Sequence, residues 1–294
     1  MHLVWDQGVA GSNPVFPTSG YKTLNYLRVF LCYNLYGDIM YGNIIGDLAG
    51  SIYEYGQIKK VSNINVTELI PDNAFISDDT ILTIAILDAI INNRSYESKL
   101  REYCLKYENY VKPDLPYFES SFSPGFIKWA HSNTEGLSSG NGAMMRIAPV
   151  GFMFDSIEEV EKHAKEATIP SHNSASAIAS ATLIAKIIFL ARKGLSKEEI
   201  IDKLNIKLYE KEIKKFNYTC SDTIDICLYS LFTTNSFEDA IKKVISYGGD
   251  TDTNACIVGG MAEAFYGVKD EYIEVVDKKI PEEFKKVLKK AYKG

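Results

Sequence analysis

The sequence predicts an all-α protein, and three features support this fold class. Apolar side chains recur at helical spacing after Asp250, at Val258, Met261, Ala262 and Phe265. The same spacing follows Asp79, at Leu82, Ala85, Ile86, Ala89 and Ile90. No convincing run of alternating apolar and polar residues predicts a strand. At typical helix lengths the chain has room for roughly a dozen helices.

Length and composition restrict the class of protein. A chain of 294 residues forms one large domain or two small ones, and its 46% hydrophobic content is enough for a substantial core. The net charge of −6 argues against strong nucleic-acid binding through a broad basic surface. Five scattered cysteines without a CxxC pair, and four histidines without HxxxH spacing, predict a reducing compartment, the cytoplasm, and no zinc site.

No stretch is predicted to span a membrane. The most apolar run, residues 175–191, is rich in small side chains and contains Lys186. Because a charge in the middle of a short apolar run disfavours a membrane span, we expect a buried helix there.

Residues 1–39 differ from the rest of the chain, with prolines in an irregular context and no clear period. Residues 11–14 can be encoded by the T-arm of a tRNA gene. Our hypothesis is that this extension reflects a misassigned start, with Met40 as the true first residue and residues 40–294 as the domain. The alternative is an ordinary N-terminal extension.

The stretch of residues 246–265 carries the clearest chemical signal. Two glycines predict a turn, which places Asp250, Asp252 and Thr253 at a helix start, where free N–H groups and the helix dipole favour negative charge. Carboxylate and hydroxyl oxygens are ligands that suit Mg²⁺, Mn²⁺ or Ca²⁺. The alternative is that one of the aspartates only caps the helix.

A second acidic helix start, Ser77-Asp78-Asp79, weakens the capping explanation. Adjacent carboxylates repel each other and a cap needs only one, so the second acid indicates a cation. Upstream, Asp47 and Glu54 lie two helical turns apart, on the face that carries several glycines. Charges on a tightly packed face need a partner or a metal, although a solvated helix edge is an alternative.

A glycine-rich turn, Gly140-Asn141-Gly142, opens a further predicted helix. Its backbone N–H groups are suited to binding a phosphate, but Asn-Gly turns are also common without a ligand. His172 stands at the start of a long alanine-rich helix at 174–192. It is a candidate ligand contact, or alternatively a capping or core histidine.

Together these motifs resemble the ADP-ribosylglycohydrolase family, of the type that includes the dinitrogenase-reductase activating glycohydrolase. The resemblance covers residues 40–268, and the motifs follow the family's order: Gly46-Asp47-x-x-Gly50-x-x-x-Glu54, Ser77-Asp78-Asp79-Thr80, Gly140-Asn141-Gly142-x-x-x-Arg146, His172, and Gly248-Gly249-Asp250-Thr251-Asp252-Thr253. Each motif is weak alone, and together they are highly specific. The chain departs from the family at Ser77, where threonine is usual, and at Ser139, where many members have an aromatic residue.

The resemblance implies a compact single domain of orthogonal helices with a binuclear Mg²⁺ or Mn²⁺ centre at the bottom of a cleft. The implied metal ligands are Glu54, Ser77, Asp78, Asp79, Asp250, Asp252 and Thr253. The implied ADP-ribose-binding residues are Asp78, Gly140, Asn141, Gly142 and His172.

The implied reaction is hydrolysis at the anomeric carbon of the ADP-ribose ribose, through oxocarbenium-like charge. Two cations would hold the vicinal ribose hydroxyls and a water, and a carboxylate would take the proton. Glu54 is the first candidate for this catalytic role and Asp79 the second. We expect the substrate to be an ADP-ribosylated protein or a small ADP-ribosyl compound, and the protein to be a monomer.

Three alternatives remain open from the sequence. The first is a hydrolase of a free nucleotide-sugar or another N-glycoside on the same scaffold. The second is a non-enzymatic ADP-ribose-binding or structural derivative, which should have lost some of the acids. The third is a helical protein whose acids bind Ca²⁺ for stability alone.

Overall fold

The computed structural model describes residues 40–57, 64–110 and 120–291. In these ranges the regular structure is helical and no strand forms; isolated bridges pair Leu137 with His172 and Gly140 with Thr219. The all-α prediction is confirmed. The hypothesis about residues 1–39 concerns a segment outside the described residues and stays a prediction.

Helices follow one another along the described parts of the chain. They are α1 (Gly42–Gln57), α2 (Asp78–Ile91), α3 (Tyr96–Tyr107), α4 (Pro124–Ala130), α5 (Gly142–Met145), α6 (Ala148–Met153), α7 (Ile157–Thr168), α8 (Ala175–Arg192), α9 (Lys197–Leu204), α10 (Cys220–Phe232), α11 (Phe237–Ser246), α12 (Thr251–Tyr266), α13 (Asp270–Lys279) and α14 (Glu282–Ala291).

Helices α1 and α12 form the central pair of the fold. Gly42, Gly46 and Gly50 recur every four residues on α1 and meet α12 in reverse order, so the two helices run antiparallel. A Cβ atom added at Gly46 would lie 2.0 Å from the carbonyl oxygen of Ala255. The backbones are therefore in contact, and only glycine fits between them.

Antiparallel packing determines which helix ends meet. Near Gly50, the hydroxyl of Thr251 donates a 2.8 Å hydrogen bond to the Gly50 carbonyl, so the last turns of α1 lie beside the first turn of α12. At the opposite end, the buried carboxylate of Glu263 accepts hydrogen bonds from the backbone N–H groups of Tyr41 (3.2 Å) and Gly42 (2.7 Å). A carboxylate at a helix N-terminus is favourable, so this contact fixes the start of α1.

Helix α8 lies in the core, as expected for the apolar run at 175–191, and packs against α7, α6 and α12. By length and composition it nevertheless qualifies as a membrane span, with a mean hydropathy of 1.6 over 18 residues, of which 56% are buried in the fold. The sequence criterion based on Lys186 was therefore too strict, because the rest of the helix is apolar enough to offset the charges of Lys186 and Arg192.

The charged sequence from Ser196 to Glu212, with Ser196 and Glu199 spaced as in a capping box, predicts a helix, and that helix is shorter in the structure. Ser196 and Glu199 form the predicted capping box at its start. Helix α9 then ends at Leu204, because Asn205 adopts a left-handed conformation with φ of 50°.

Candidate metal centre and substrate site

Three acidic segments that are far apart in sequence meet at one place. The pairing of α1 with α12 brings Glu54 next to the start of α12. The acids form two sets in which the carboxylate oxygens lie within 4.8 Å of one another: Asp47, Asp79 and Asp252 in the first, and Glu54, Asp250 and Asp252 in the second. Because Asp252 belongs to both sets, the acids form one continuous cluster.

Asp47 organises the start of α2. It is fully buried, and its Oδ2 accepts hydrogen bonds from the backbone N–H groups of Ser77 (2.9 Å) and Thr80 (3.1 Å), while the hydroxyls of both residues also donate to it. The N-cap of α2 is Ser77, whose Oγ accepts from the N–H of Asp79. The acids at 78 and 79 are therefore not needed as caps, and Asp47 is not on a solvated edge.

Two asparagines fix Asp250. It occupies the N-cap position of α12, but its side chain makes no capping hydrogen bond. Its Oδ2 accepts from Asn141 Nδ2 at 2.7 Å, and its backbone N–H donates to Asn217 Oδ1 at 3.0 Å. The preceding Gly249 has φ of +75°, and a Cβ atom there would lie 2.1 Å from Asn217 Oδ1, so this turn requires glycine.

Burial and mutual repulsion raise the pKa of the clustered acids. Burial is the largest cause for both Asp79 and Asp252; the next is Asp47 for Asp79 and Glu54 for Asp252. Burial also raises the pKa of Asp78, and Asp47 and Asp250 act in the same direction. Because like charges buried together are unfavourable, the cluster needs protons or cations to balance it.

An unpartnered carboxylate oxygen and a surplus of acceptor atoms show that the cluster fits hard divalent cations. Asp79 Oδ1 is buried without a hydrogen-bond partner. Ser77 Oγ lies 2.8 Å from Asp47 Oδ1 and 3.0 Å from Asp79 Oδ2, although a hydroxyl donates only one hydrogen bond. Thr253 Oγ1 lies 3.2 Å from the same Asp79 oxygen. A cation shared by these oxygens would satisfy the surplus acceptors, and this donor chemistry suits Mg²⁺, Mn²⁺ or Ca²⁺.

Asp78 lies at the start of α2 but belongs to neither carboxylate set. It is less buried than Asp79, and Arg146 is among the charges that act on it, lowering its pKa against the larger effect of burial. Of the acids expected to bind metal, Asp78 is therefore the one that the structure does not bring into the two sets.

The turn at residues 140–142 borders the acid cluster through Asn141. The backbone N–H of Asn141 donates to the carbonyl of Tyr218 at 2.9 Å, and the N–H of Cys220 donates to the carbonyl of Ser139 at 2.9 Å. Helix α5 after the turn has only four residues. Ser139 is exposed and offers no ring for stacking, whereas the backbone carbonyl of Tyr218, an aromatic residue that is 61% exposed, lies beside the turn.

His172 lies against the same turn. Its Nε2 would be 3.3 Å from a Cβ atom at Gly142 and 3.6 Å from one at Gly140. Ser174, not His172, is the N-cap of α8. Burial, and secondarily the charge of Arg146, lowers the pKa of His172 well below its ordinary value, so the ring is neutral at neutral pH.

The sequence indicated that Asp47 needs a partner or a metal but did not predict it as a ligand, and it indicated no role for Asn217. The sequence features that point to Asp47 are its position on the same helix face as Glu54 and its place in the first family-like motif. No such feature points to Asn217: it lies in the irregular segment between α9 and α10, and only the fold brings it to Asp250 and Asn254.

The fold and the site define a class of all-α proteins that hold a buried carboxylate cluster where three helices meet. The chain belongs to the ADP-ribosylglycohydrolase family, whose model matches residues 36–293. Members of this family are enzymes that hydrolyse glycosidic bonds, so the chain is a glycosidic-bond hydrolase of the kind that removes ADP-ribose.

Individual relatives are distant in sequence. ADP-ribosylhydrolase ARH3 of Mus musculus is 22% identical over an alignment that covers 78% of this chain and 82% of that protein. ADP-ribosylarginine hydrolase Tri1 of Pseudomonas putida is 24% identical over 69% of this chain and 62% of its own length. ADP-ribosyl-[dinitrogen reductase] glycohydrolase of Rhodospirillum rubrum is 21% identical over 83% of this chain and 91% of its own length.

A solved structure supports the same fold. An ADP-ribosylglycohydrolase-related protein complex superimposes with a TM-score of 0.66 at 18% sequence identity, over 92% of this chain and 98% of that chain.

Proposed function

We propose that this protein is a binuclear Mg²⁺- or Mn²⁺-dependent hydrolase that removes ADP-ribose from a modified protein. The observation that carries the proposal is that Asp252 is shared by the two carboxylate sets, because one bridging acid between two ligand sets suits a pair of cations. In this proposal the cations are held by Glu54, Ser77, Asp78, Asp79, Asp250, Asp252 and Thr253. Asp47 is a positioning residue, since its oxygens already accept several hydrogen bonds from the start of α2.

When bound, the cations would supply positive charge that lowers the pKa of a water and holds neighbouring ribose hydroxyls. The protein's own carboxylates do the remaining work. Glu54, half-buried at the open side of the cluster, is placed to take a proton from the attacking water. Asp79 is the second candidate for this role, and its buried, unpartnered Oδ1 makes it the better candidate for a metal ligand.

The substrate would lie between the acid cluster and the turn at residues 140–142. Asn141 links the two, since its side chain donates to Asp250 while its backbone lies in the turn. The N–H groups of Gly140 and Asn141 already donate to Ser138 Oγ and to the Tyr218 carbonyl, so His172 and the turn at Gly142 would hold the diphosphate and distal ribose. The names of the relatives refer to ADP-ribosylarginine and to a dinitrogen reductase, which supports a modified protein as the substrate. We further propose that the protein acts as a cytoplasmic monomer.

The test is a panel of proteins carrying ADP-ribose on arginine, on serine or on other side chains, each assayed with Mg²⁺, with Mn²⁺ and with EDTA. We expect release of ADP-ribose from at least one linkage, loss of activity in EDTA, and recovery with either cation. A free nucleotide-sugar and a simple N-glycoside are included, and cleavage of these alone would contradict the proposal.

Asp252→Ala is the matched variant for this assay. Because it removes the shared acid, we expect turnover to fall by at least about a thousandfold, the scale on which essential catalytic groups act. Asp270→Ala is the control, since Asp270 is also an aspartate at a helix start but is exposed on α13. Equal activity of the two variants would exclude Asp252 from the centre.

A further inference from the structure

We propose that Arg146 and Ser171 hold the ring of His172 as the neutral tautomer that carries its proton on Nε2, so that this N–H donates to an oxygen of the ADP-ribosyl group lying along the turn at residues 140–142. The part of this inference that concerns the substrate rests on the proposed function. The part that concerns the ring is a property of the protein itself.

Arg146 is an unusual buried residue. Its side chain has 0% exposure, and its Nε and Nη1 have no hydrogen-bond partner. Burial lowers its pKa to about 9, so it remains charged at neutral pH. A buried charge with few partners is unfavourable for stability, and such groups are typical of functional sites.

One hydrogen bond from Arg146 begins a short hydrogen-bond chain that leads to His172. Its Nη2 donates to Ser171 Oγ at 2.6 Å, and Ser171 Oγ lies 2.8 Å from Nδ1 of His172. A guanidinium group has no acceptor, so the serine oxygen must accept from it and is left with its own proton to donate. We infer that this proton goes to Nδ1; the second lone pair of the serine oxygen would also allow it to accept from Nδ1, and a further contact of Arg146 excludes that arrangement.

A second contact leads to the same assignment. Arg146 Nη2 itself lies 3.5 Å from His172 Nδ1 and can only donate. A proton on Nδ1 would point at the N–H of Arg146 and at the hydroxyl of Ser171. A protonated, positively charged ring would in addition be repelled by the charge of Arg146. The ring is therefore neutral, with its single proton on Nε2.

The backbone holds the ring in place. The N–H of His172 donates to the carbonyl of Thr168 at 3.0 Å, and the N–H of Ser138 donates to the carbonyl of Ser171 at 3.3 Å. A Cβ atom added at Gly136 would lie 2.3 Å from the Ser171 oxygen, so the two segments are in close contact. These contacts fix the backbone at residues 171 and 172, and the ring itself packs against Phe126, with 6.4 Å between the ring centroids.

The consequence is a neutral donor that points at the turn. Nε2 is the ring nitrogen beside Gly140 and Gly142, where the absence of side chains leaves space for a ligand. In the other tautomer Nε2 would be an acceptor and would repel the lone pairs of a phosphate or hydroxyl oxygen. Arg146 and Ser171 are thus positioning residues that act through His172.

The direct test is the imidazole ¹H–¹⁵N spectrum of the Mg²⁺-loaded, ¹⁵N-histidine-labelled protein at neutral pH, assigned with a His172→Gln sample. We expect His172 to give the pattern of a neutral ring with a protonated Nε2 and a hydrogen-bonded, unprotonated Nδ1. His163, whose Nδ1 lies 3.0 Å from the hydroxyl of Tyr96, serves as an internal reference. An imidazolium or a proton on Nδ1 would overturn the proposal.

A set of serine variants tests the relay. In Ser171→Ala the Nδ1 resonance should move toward that of a nitrogen without a hydrogen bond, and ADP-ribose should bind about fivefold more weakly in calorimetry, the effect of one lost hydrogen bond. Ser171→Thr keeps the hydroxyl and should retain both properties. Ser174→Ala is the matched control, because Ser174 caps α8 three residues further on without contacting the ring.

These outcomes separate the inference from the proposed function. An unchanged Nδ1 resonance in Ser171→Ala, or equal weakening by Ser171→Ala and Ser174→Ala, would overturn the relay even if the enzyme releases ADP-ribose. Conversely, a protein with the expected tautomer and the expected serine effects that cleaves no ADP-ribosyl linkage would retain the relay and refute the proposed reaction.

Discussion

Single residues in the acid cluster are oriented by hydrogen bonds from outside it. Asp47 accepts from Ser77 and Thr80, while Asp250 is held by Asn141 and Asn217. Since these contacts use protein donors only, the carboxylates are arranged before any ligand binds. The arrangement has a cost in stability, because burial and repulsion disfavour the charged forms of the acids.

Because of this cost, we expect Asp252→Asn to stabilise the protein when no metal is bound. The substitution keeps the shape of the side chain and an oxygen that can accept from the N–H of Thr253, now at 2.9 Å, but it removes one charge from the cluster. In EDTA, we expect the variant to melt at least about 2 °C higher than the unaltered protein, a shift produced by under 1 kcal/mol for a chain of this size. Differential scanning calorimetry measures this directly.

Added Mg²⁺ should affect the two proteins differently. It should raise the melting temperature of the unaltered protein, because a ligand that binds only the folded state stabilises it, and should have little effect on Asp252→Asn. Asp270→Asn should behave like the unaltered protein in both conditions. A lower melting temperature for Asp252→Asn in EDTA would show that Asp252 is a structural residue whose charge is favourable.

Much of the site could be predicted at the residue scale, because its chemistry lies in short contiguous motifs. Ser77, Asp250 and Asp252 are marked by their position at helix starts. The capping alternative could not be excluded from sequence, since it depends on which atom accepts the first N–H of the helix. The relay from Arg146 through Ser171 could not be foreseen either, because it joins residues from two separate segments.

At the scale of helices, the glycine stripe of α1 determines where the acids meet. Gly42, Gly46 and Gly50 allow backbone contact with α12, and this contact places Glu54 next to Asp250 and Asp252. A helix pair held further apart would separate the carboxylates by more than a cation can bridge. The glycines are therefore needed for the geometry of the acid cluster.

Gly46→Ala tests this role. The new Cβ atom would lie 2.0 Å from the Ala255 carbonyl oxygen, so one helix must shift, and we expect the free energy of unfolding to fall by about 3 kcal/mol or more. Gly125→Ala is the control, because nothing lies within 4 Å of its added Cβ atom and alanine favours a helix. Urea denaturation measures both. Equal stability of the two variants would contradict the close packing of α1 on α12.

The helices themselves were largely predictable, whereas their lengths were not. The periodic runs after Asp79 and Asp250 became α2 and α12, as expected. The helix expected after Ser196 is shorter because Asn205 turns left-handed, and the helix after Gly142 is a single turn. Both helices end where the local backbone conformation changes, and the spacing of apolar residues does not predict such changes.

At the scale of the whole molecule, the site depends on contacts between distant parts of the chain. Glu263 holds the start of α1 across 222 residues, and Thr253 contacts Asp79 across 174. No local pattern encodes such pairings, so the single site could be inferred from sequence only through the resemblance to a family. The fold then shows the physical reason: the α1–α12 pair brings Glu54 to Asp250 and Asp252, and the hydrogen bonds from the start of α2 to Asp47 bring Asp79 to the same place.

The most direct test of the central claim is an anomalous-scattering map from a crystal grown with Mn²⁺. The claim is that the acidic segments bind one pair of divalent cations through a shared Asp252. We expect two Mn²⁺ peaks within the carboxylate cluster, both with Asp252 as a ligand, and their loss in Asp252→Ala. Peaks confined to other places on the protein, or a cluster without metal at saturating Mn²⁺, would contradict the claim.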